Sequence, residues 1–250
     1  MNKIAEQKLN YKSGVKDGLP IGLGYLSVSF AFGVQAGLAG IPILLTVLIS
    51  MTNLTSAGQL AGIETIVLAG SATTIISLAV EIFLTELVIN SRYFLMSITL
   101  TQKFDSSFTT SKRFLYSAFV TDEIFAVGAS KKTLNTKYFS GLATLPYLGW
   151  TIGTLLGATA GSILPWYIAD SLGIALYAMF IAIIVPPSIS VKGVLPTVLL
   201  ASALSCLFFF VPALKDVGSG FTVIICALVT ASIMAFAFPV SKEDNQDELR

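Results

Sequence analysis

The chain contains no histidine, which removes the commonest metal ligand and the commonest proton shuttle. Any proton carried by a side chain would have to use a carboxylate. Charge is also scarce, at 12% of 250 residues, against about 25% in soluble domains. A net charge of +1 gives no field to attract nucleic acid, and the lysines stand at the ends of apolar runs rather than in a patch. The two cysteines, Cys206 and Cys226, sit in separate apolar runs without the spacing of a disulfide framework or a metal cluster. No metal or cofactor is expected. The first eighteen residues, MNKIAEQKLNYKSGVKDG, lack the apolar core of a cleavable signal. The first spanning helix is expected to serve as the insertion signal.

What the chain has is apolar length. Hydrophobic residues make up 54%, and the mean hydropathy is +0.82. The apolar runs are continuous and helix-long, whereas a membrane β-barrel needs short alternating segments. The expected fold is all-α, a polytopic helical membrane protein with about seven or eight membrane segments. Residues 1–18 form a basic cytoplasmic N-terminal segment, 19–239 a single transmembrane domain, and 240–250 a polar tail.

Polar groups inside these runs mark where function is expected, because an ionisable group at membrane depth is costly without a partner. Leu19 to Leu38 opens with Pro20, and Gly22, Gly24 and Gly33 thin one side for close helix packing. Pro42 to Gly70 holds two short apolar pieces around Thr52, Asn53, Thr55, Ser56, Gly58 and Gln59. Neither piece reaches the ~20 residues of a span, so the segment reads as a broken helix, or else as one helix with a polar stripe. Ser71 to Leu100 carries Glu81, Glu86, Asn90 and Arg92. In one helix, Glu81, Thr85 and Arg92 share a face, yet Glu81 and Arg92 stand roughly 16 Å apart along the axis. Arg92 therefore needs a counter-charge from another segment or a ligand, unless it snorkels to the interface.

Phe114 to Ser130 is short and carries Thr121, Asp122 and Glu123 at its centre. The acids there either act in the mechanism or are solvated in an aqueous mouth. Tyr138 to Ile163 repeats glycine at 149, 153, 157 and 161, a smooth packing face. Ser171 to Val185, Val194 to Val211 and Phe221 to Phe238 complete the apolar set.

Basic residues orient the chain. Those of the N-terminus, of 103–113, of 131–137 and Lys192 are expected on the cytoplasmic side, with Lys215 beside Asp216 an exception. The loop after the first helix and Leu164 to Asp170 lack Lys and Arg and are expected outside. Phe114 to Ser130 must then enter and leave on one side, as a re-entrant hairpin or a paired half-helix, and Pro42 to Gly70 does the same from the other side. Two discontinuous elements meeting mid-membrane suggest inverted repeats, although no residue-level repeat is visible.

Several stretches, taken in order, resemble one family. These are Asn53 to Gln59 ending in SAGQ, NSRYFLMS at Asn90 to Ser97, TDEIFA at Thr121 to Ala126, GWTIGTLLGA at Gly149 to Ala158, and ALYAMFIAIIVP at Ala175 to Pro186. Together they are similar to the AzlC family, the large subunit of bacterial branched-chain amino-acid exporters. The resemblance spans about Ser13 to Pro239. The family's N-x-R-H run has Tyr93 in its last position here, and an Asp often found near position 173 is Gly173. The resemblance implies a small AzlD-type membrane subunit as partner and a location in the cell inner membrane.

The expected function is a permease exporting branched-chain or similar apolar amino acids, coupled to protons. A non-transporting membrane subunit or sensor, or an intramembrane enzyme, is the alternative. Enzyme chemistry is not expected, since a serine protease of the membrane type would need histidine, an aspartyl dyad a second intramembrane aspartate, and the adjacent Asp122 and Glu123 have no partner motif. Asn53, Ser56, Gly58, Gln59, Asn90 and Arg92 are the substrate-binding candidates, the carboxylate meeting either the helix N-terminus near Ser56 to Gln59 or Arg92. Asp122 and Glu123 are the candidates for ammonium binding or proton coupling. Leu60, Ile124 and Phe125 could line the side-chain pocket.

Overall fold

The computed structural model describes residues 9–69, 74–161, 181, 184–186, 188–189, 191–214 and 217–238. The expected loop Leu164 to Asp170, Gly173, most of Ser171 to Val185, Lys215 with Asp216, and the polar tail lie outside the described residues. Among those described, nine α-helices and one 3-10 turn appear and no strand, the only strand-like feature being an isolated bridge between Phe104 and Leu134. The helices are α1 (Tyr11–Leu38), α2 (Ile43–Thr52), α3 (Ser56–Leu68), α4 (Ile75–Thr101), α5 (Thr110–Ser117), α6 (Asp122–Ala129), α7 (Thr136–Ala160), α8 (Val194–Phe210) and α9 (Ser219–Ala237). The all-helical expectation therefore holds for the described chain.

Contacts divide the chain into two compact units. One comprises Met1–Leu60 with Asn90–Leu176, the other Ala61–Ile89 with Tyr177–Arg250.

In the first unit, α1 starts well before the apolar run. Asn10 Oδ1 accepts from the Ser13 N–H (2.9 Å) and Ser13 Oγ accepts from the Asn10 N–H (3.0 Å), a reciprocal cap that starts the helix at Tyr11. Pro20 consequently lies inside α1 rather than in its first turn. The two longest helices of this unit, α1 and α7, run parallel, with glycine against backbone on both sides. A Cβ at Gly14, Gly18 or Gly33 would overlap the carbonyls of Tyr138, Leu142 or Thr154, and one at Gly149, Gly153 or Gly157 those of Gly22, Leu26 or Phe30. The glycine repeat is thus a packing face, as expected. Gly24 is outside it, with nothing within 4 Å of where its side chain would be.

Both breaks read from the sequence are present. Asn53 is extended (φ −140°, ψ 99°) and ends α2, and Thr55 Oγ1 accepts from the Gly58 N–H (3.4 Å) as α3 begins. The unbroken alternative for Pro42 to Gly70 is ruled out. Phe114 to Ser130 is likewise split into α5 and α6, with Thr121 extended (φ −125°, ψ 171°) and its side chain accepting from the Ile124 N–H.

The two ends of that hairpin are tied together. Leu134 N–H donates to Lys103 O (2.7 Å) and Asp105 N–H to Leu134 O (2.9 Å). Lys103 Nζ donates to the carbonyls of Ala129 (2.5 Å) and Lys131 (3.1 Å) at the C-terminal end of α6. Asn135 Nδ2 donates to Leu9 O (2.8 Å), and Lys131 pairs with Asp17 at 2.9 Å. The start of α1, both ends of α5–α6 and the start of α7 therefore share one end of this unit, so the short segment folds as a hairpin that leaves and returns to that end. Beneath that end lies the core, where Leu100, Phe108, Ile124, Leu134, Tyr138, Phe139 and Leu142 bury one another. Ile124 belongs to this core, not to the wall of an open site.

In the second unit, α8 and α9 pack together, joined through the 3-10 turn Pro212–Leu214. Here the first half of α4 meets the start of α9, where Glu81 Oε1 accepts from the Gly220 N–H (2.9 Å). The Glu86 carboxylate lies against Gly62 of α3.

Large apolar side chains such as Ile75, Phe94, Phe114, Phe209 and Phe236 are exposed, which suits a lipid surround rather than water. Tyr11–Leu38 and Gly220–Ala237 are long and apolar enough to cross a bilayer, with mean hydropathies of 1.4 and 2.2.

Candidate functional site

Tyr25 and Trp150 occupy the middles of the parallel helices α1 and α7, each about 21 Å from its helix start at about 1.5 Å per residue. Their rings meet edge to face with centroids 5.3 Å apart. The polar tips of this aromatic pair have separate partners, and each tip reaches one of the two breaks.

On one side, Trp150 Nε1–H donates to Gln59 Oε1 (3.1 Å), and Gln59 Nε2 donates to Ser50 Oγ (3.0 Å). Ser50 Oγ lies 2.7 Å from Thr154 Oγ1. Gln59, Ser50, Thr154 and Trp150 are all buried. Because Gln59 sits in the first turn of α3 and Ser50 in the last turn of α2, this network clamps the break from both sides. It also uses both ends of the Gln59 amide within the protein. Gly58 is buried beside it, while Ser56 and Asn53 remain half-buried at the break.

On the other side, the Tyr25 hydroxyl donates to Glu123 Oε2 (2.5 Å) and lies 2.6 Å from Thr121 Oγ1. Thr121 is the N-cap of α6, so Asp122 and Glu123 stand in its first turn, at the positive end of the helix dipole. The two acids part company there. Glu123 turns to Tyr25, and Asp122 Oδ2 meets Arg92 Nη1 at 3.0 Å. The counter-charge that Arg92 requires thus comes from another segment. Arg92 Nη2 also donates to the Tyr93 hydroxyl (3.3 Å), with the guanidinium carbon 5.0 Å from that ring's centroid. Tyr93 thereby steadies the guanidinium. Asn90 is half-buried half a turn earlier on α4.

The Arg92 and Asp122 side chains are 43% and 40% exposed, so neither is sealed in. A guanidinium has five N–H donors and a carboxylate two oxygens, which leaves this pair able to exchange its mutual contact for a ligand's carboxylate and ammonium. Among the described residues no group of three or more His, Cys, Asp or Glu could hold a metal.

Sequence reasoning selected Gln59, Arg92, Asp122 and Glu123 but missed Tyr25 and Trp150. Aromatic residues inside apolar helices look like core, and only the hydroxyl and indole N–H, when buried, demand partners.

Residues 20–164 match the family model described as AzlC protein. The chain belongs to the AzlC family. It is 30% identical over 235 residues to the inner membrane protein YgaZ of Escherichia coli (strain K12), covering 90% of this chain and 91% of that one. It is also 29% identical over 178 residues to an uncharacterized membrane protein of Archaeoglobus fulgidus, covering 70% and 75% respectively. No solved structure matches the chain. As an AzlC-family membrane protein it is consistent with a transporter-type role.

Proposed function

We propose that this protein is the large subunit of a secondary transporter that exports branched-chain or similar apolar amino acids, coupled to protons, together with a small AzlD-type membrane subunit. The observation that carries this reading is the exposed Arg92–Asp122 pair at the N-terminus of α6. Broken helices whose ends face a cavity at membrane depth are how many transporters hold a charged substrate without stranding backbone polar groups. A zwitterion brings a carboxylate and an ammonium. Arg92 would take the first through paired N–H groups and Asp122 the second, with Glu123 held ready by Tyr25 as the proton-carrying acid.

Asn53, Ser56, Gly58 and Asn90 form the further polar lining in this reading. Gln59 contributes by holding the α2–α3 break in shape. The N-terminus faces the cytoplasm of a cell with this chain in its inner membrane, because Lys103, Lys131 and the start of α1 gather at one end of the first unit. The protein acts as a carrier and not as an enzyme.

The test is efflux of radiolabelled leucine from proteoliposomes holding this chain with its small partner. Efflux that depends on an imposed proton gradient is expected. Its absence with leucine, isoleucine and valine alike would overturn the reading in favour of a non-transporting subunit.

A further inference from the structure

The second unit contains a polar constellation that the exporter mechanism above does not use. It lies where the first turns of α4 meet the start of α9. Glu81 and Thr85, one turn apart on α4, share a face, and Gly218-Ser219-Gly220 opens α9. Glu81 Oε1 accepts from the Gly220 N–H at 2.9 Å. A Cβ at Gly218 would overlap the Glu81 carboxylate, and one at Gly220 would overlap Thr85 Oγ1 and crowd Glu81. Both glycines are thus bare backbone pressed against these two side chains. Any side chain there would expel them.

Thr85 supplies the independent sign of a missing ligand. It is 1% exposed, and its buried hydroxyl has no hydrogen-bond partner among the described residues. In a helix a threonine hydroxyl ordinarily bonds back to the carbonyl one turn earlier. This one points instead at the first turn of α9. A buried hydroxyl without a partner is unfavourable, and a ligand that reached it would remove that cost.

The chemistry around Thr85 is two-signed. Glu81 offers a carboxylate, and the opening turn of α9 offers backbone N–H groups with a partial positive charge. A lone cation would face the wrong end of the helix dipole, and a lone anion would face Glu81. A ligand whose positive and negative groups are adjacent satisfies both.

We propose that Glu81, Thr85 and the Gly218–Gly220 turn form a binding site for the ammonium–carboxylate group of an α-amino acid. The ligand's ammonium takes Glu81 and the Thr85 oxygen, and its carboxylate takes the first turn of α9, including the Gly220 N–H that Glu81 engages when the site is empty. The site stands on the geometry of the second unit alone. It shares only its ligand class with the exporter reading.

The test measures equilibrium binding of tritiated L-leucine and of glycine to the purified full-length protein in nanodiscs. R92Q/D122N, which removes the other proposed site, should retain binding. Adding E81Q or T85V should then weaken it by about tenfold or more, the loss of one buried hydrogen bond or charge pair. Leucinol, which lacks the carboxylate, and 4-methylpentanoate, which lacks the ammonium, should not compete. T85V keeps the shape of threonine and removes an unsatisfied group, so the variant should fold at least as well as the parent. Unchanged affinity in both E81Q and T85V would overturn the proposal and reduce Glu81 to a cap on α9. Failure of either amino acid to bind the parent protein or R92Q/D122N would overturn it equally. Binding that survives in R92Q/D122N and falls with E81Q or T85V, when the parent protein moves no leucine, would sustain this site while the exporter reading falls.

Discussion

Arg92 on α4 and Asp122 at the first position of α6 face each other at 3.0 Å, with about two-fifths of each side chain open. A half-exposed pair of this kind contributes about 0.2–1 kcal/mol to stability. So small a contribution means that the fold does not depend on this pair, and in the function proposed above its work is on the ligand.

Removing either member should therefore separate function from folding. R92Q and D122N are each expected to lower leucine efflux by about a hundredfold, comparable to losing a charge-assisted contact worth 2–3 kcal/mol. Thermal melting in detergent should move by only a few degrees. Efflux at the parent rate in either variant would remove that residue from the transport path.

Tyr25→Phe deletes the hydroxyl that reaches Glu123 and Thr121 while keeping the ring against Trp150. Glu123 then loses its donor and its orientation. Efflux should fall several-fold in proteoliposomes, and Glu123→Gln combined with Tyr25→Phe should fall no further than Glu123→Gln alone, since both changes break one contact. Additive losses would show that the two residues act separately.

Trp150→Phe tests the buried network at the other break. It leaves Gln59 Oε1 buried without its indole donor, which costs about 1–3 kcal/mol. A lowered melting temperature is expected. Adding Gln59→Leu, which removes the orphaned amide, should recover part of it.

The α1–α7 interface predicts a contrast between two glycines. Gly157→Leu forces a side chain into the Phe30 backbone and should abolish monodisperse protein in size-exclusion chromatography, because backbone cannot yield as a side-chain tip can. Gly24→Ala meets open space and should be neutral. Equal tolerance at both positions would contradict the parallel packing of α1 on α7.

Whether the α5–α6 hairpin enters and leaves the membrane on one side, as the placement of its flanking lysines predicts, is open to a labelling test. Single cysteines at Ser111 and Ser130, in a background without Cys206 and Cys226, should react with an impermeant maleimide from the same side of the membrane. Labelling from opposite sides would make Phe114 to Ser130 a true span.

Much of this was visible in the residues. The break at Asn53 to Thr55 showed because neither flanking apolar run is long enough to span, and a helix that stops inside a membrane must do so at polar residues. The hairpin at Phe114 to Ser130 showed because the lysines on both sides of it need the same aqueous face. The glycine repeat at 149, 153 and 157 announced a close helix contact, though not with which helix.

Composition and the placement of charge by themselves determined that this chain is helical and lives in lipid, and singled out the polar stretches at Asn53 to Gln59 and Thr121 to Glu123 and the charge of Arg92 as the places to look, with an unbroken helix and a snorkelling Arg92 still open. These follow from desolvation, which acts on each residue wherever the chain leads it. Only the tertiary structure decided that the opposite charge is Asp122 rather than Glu123, that Tyr25 and Trp150 link the two breaks, and that Glu81 meets the start of α9. Those are pairings between residues far apart in the chain. They depend on which helices pack together, and apolar runs of similar length and composition do not encode that choice locally.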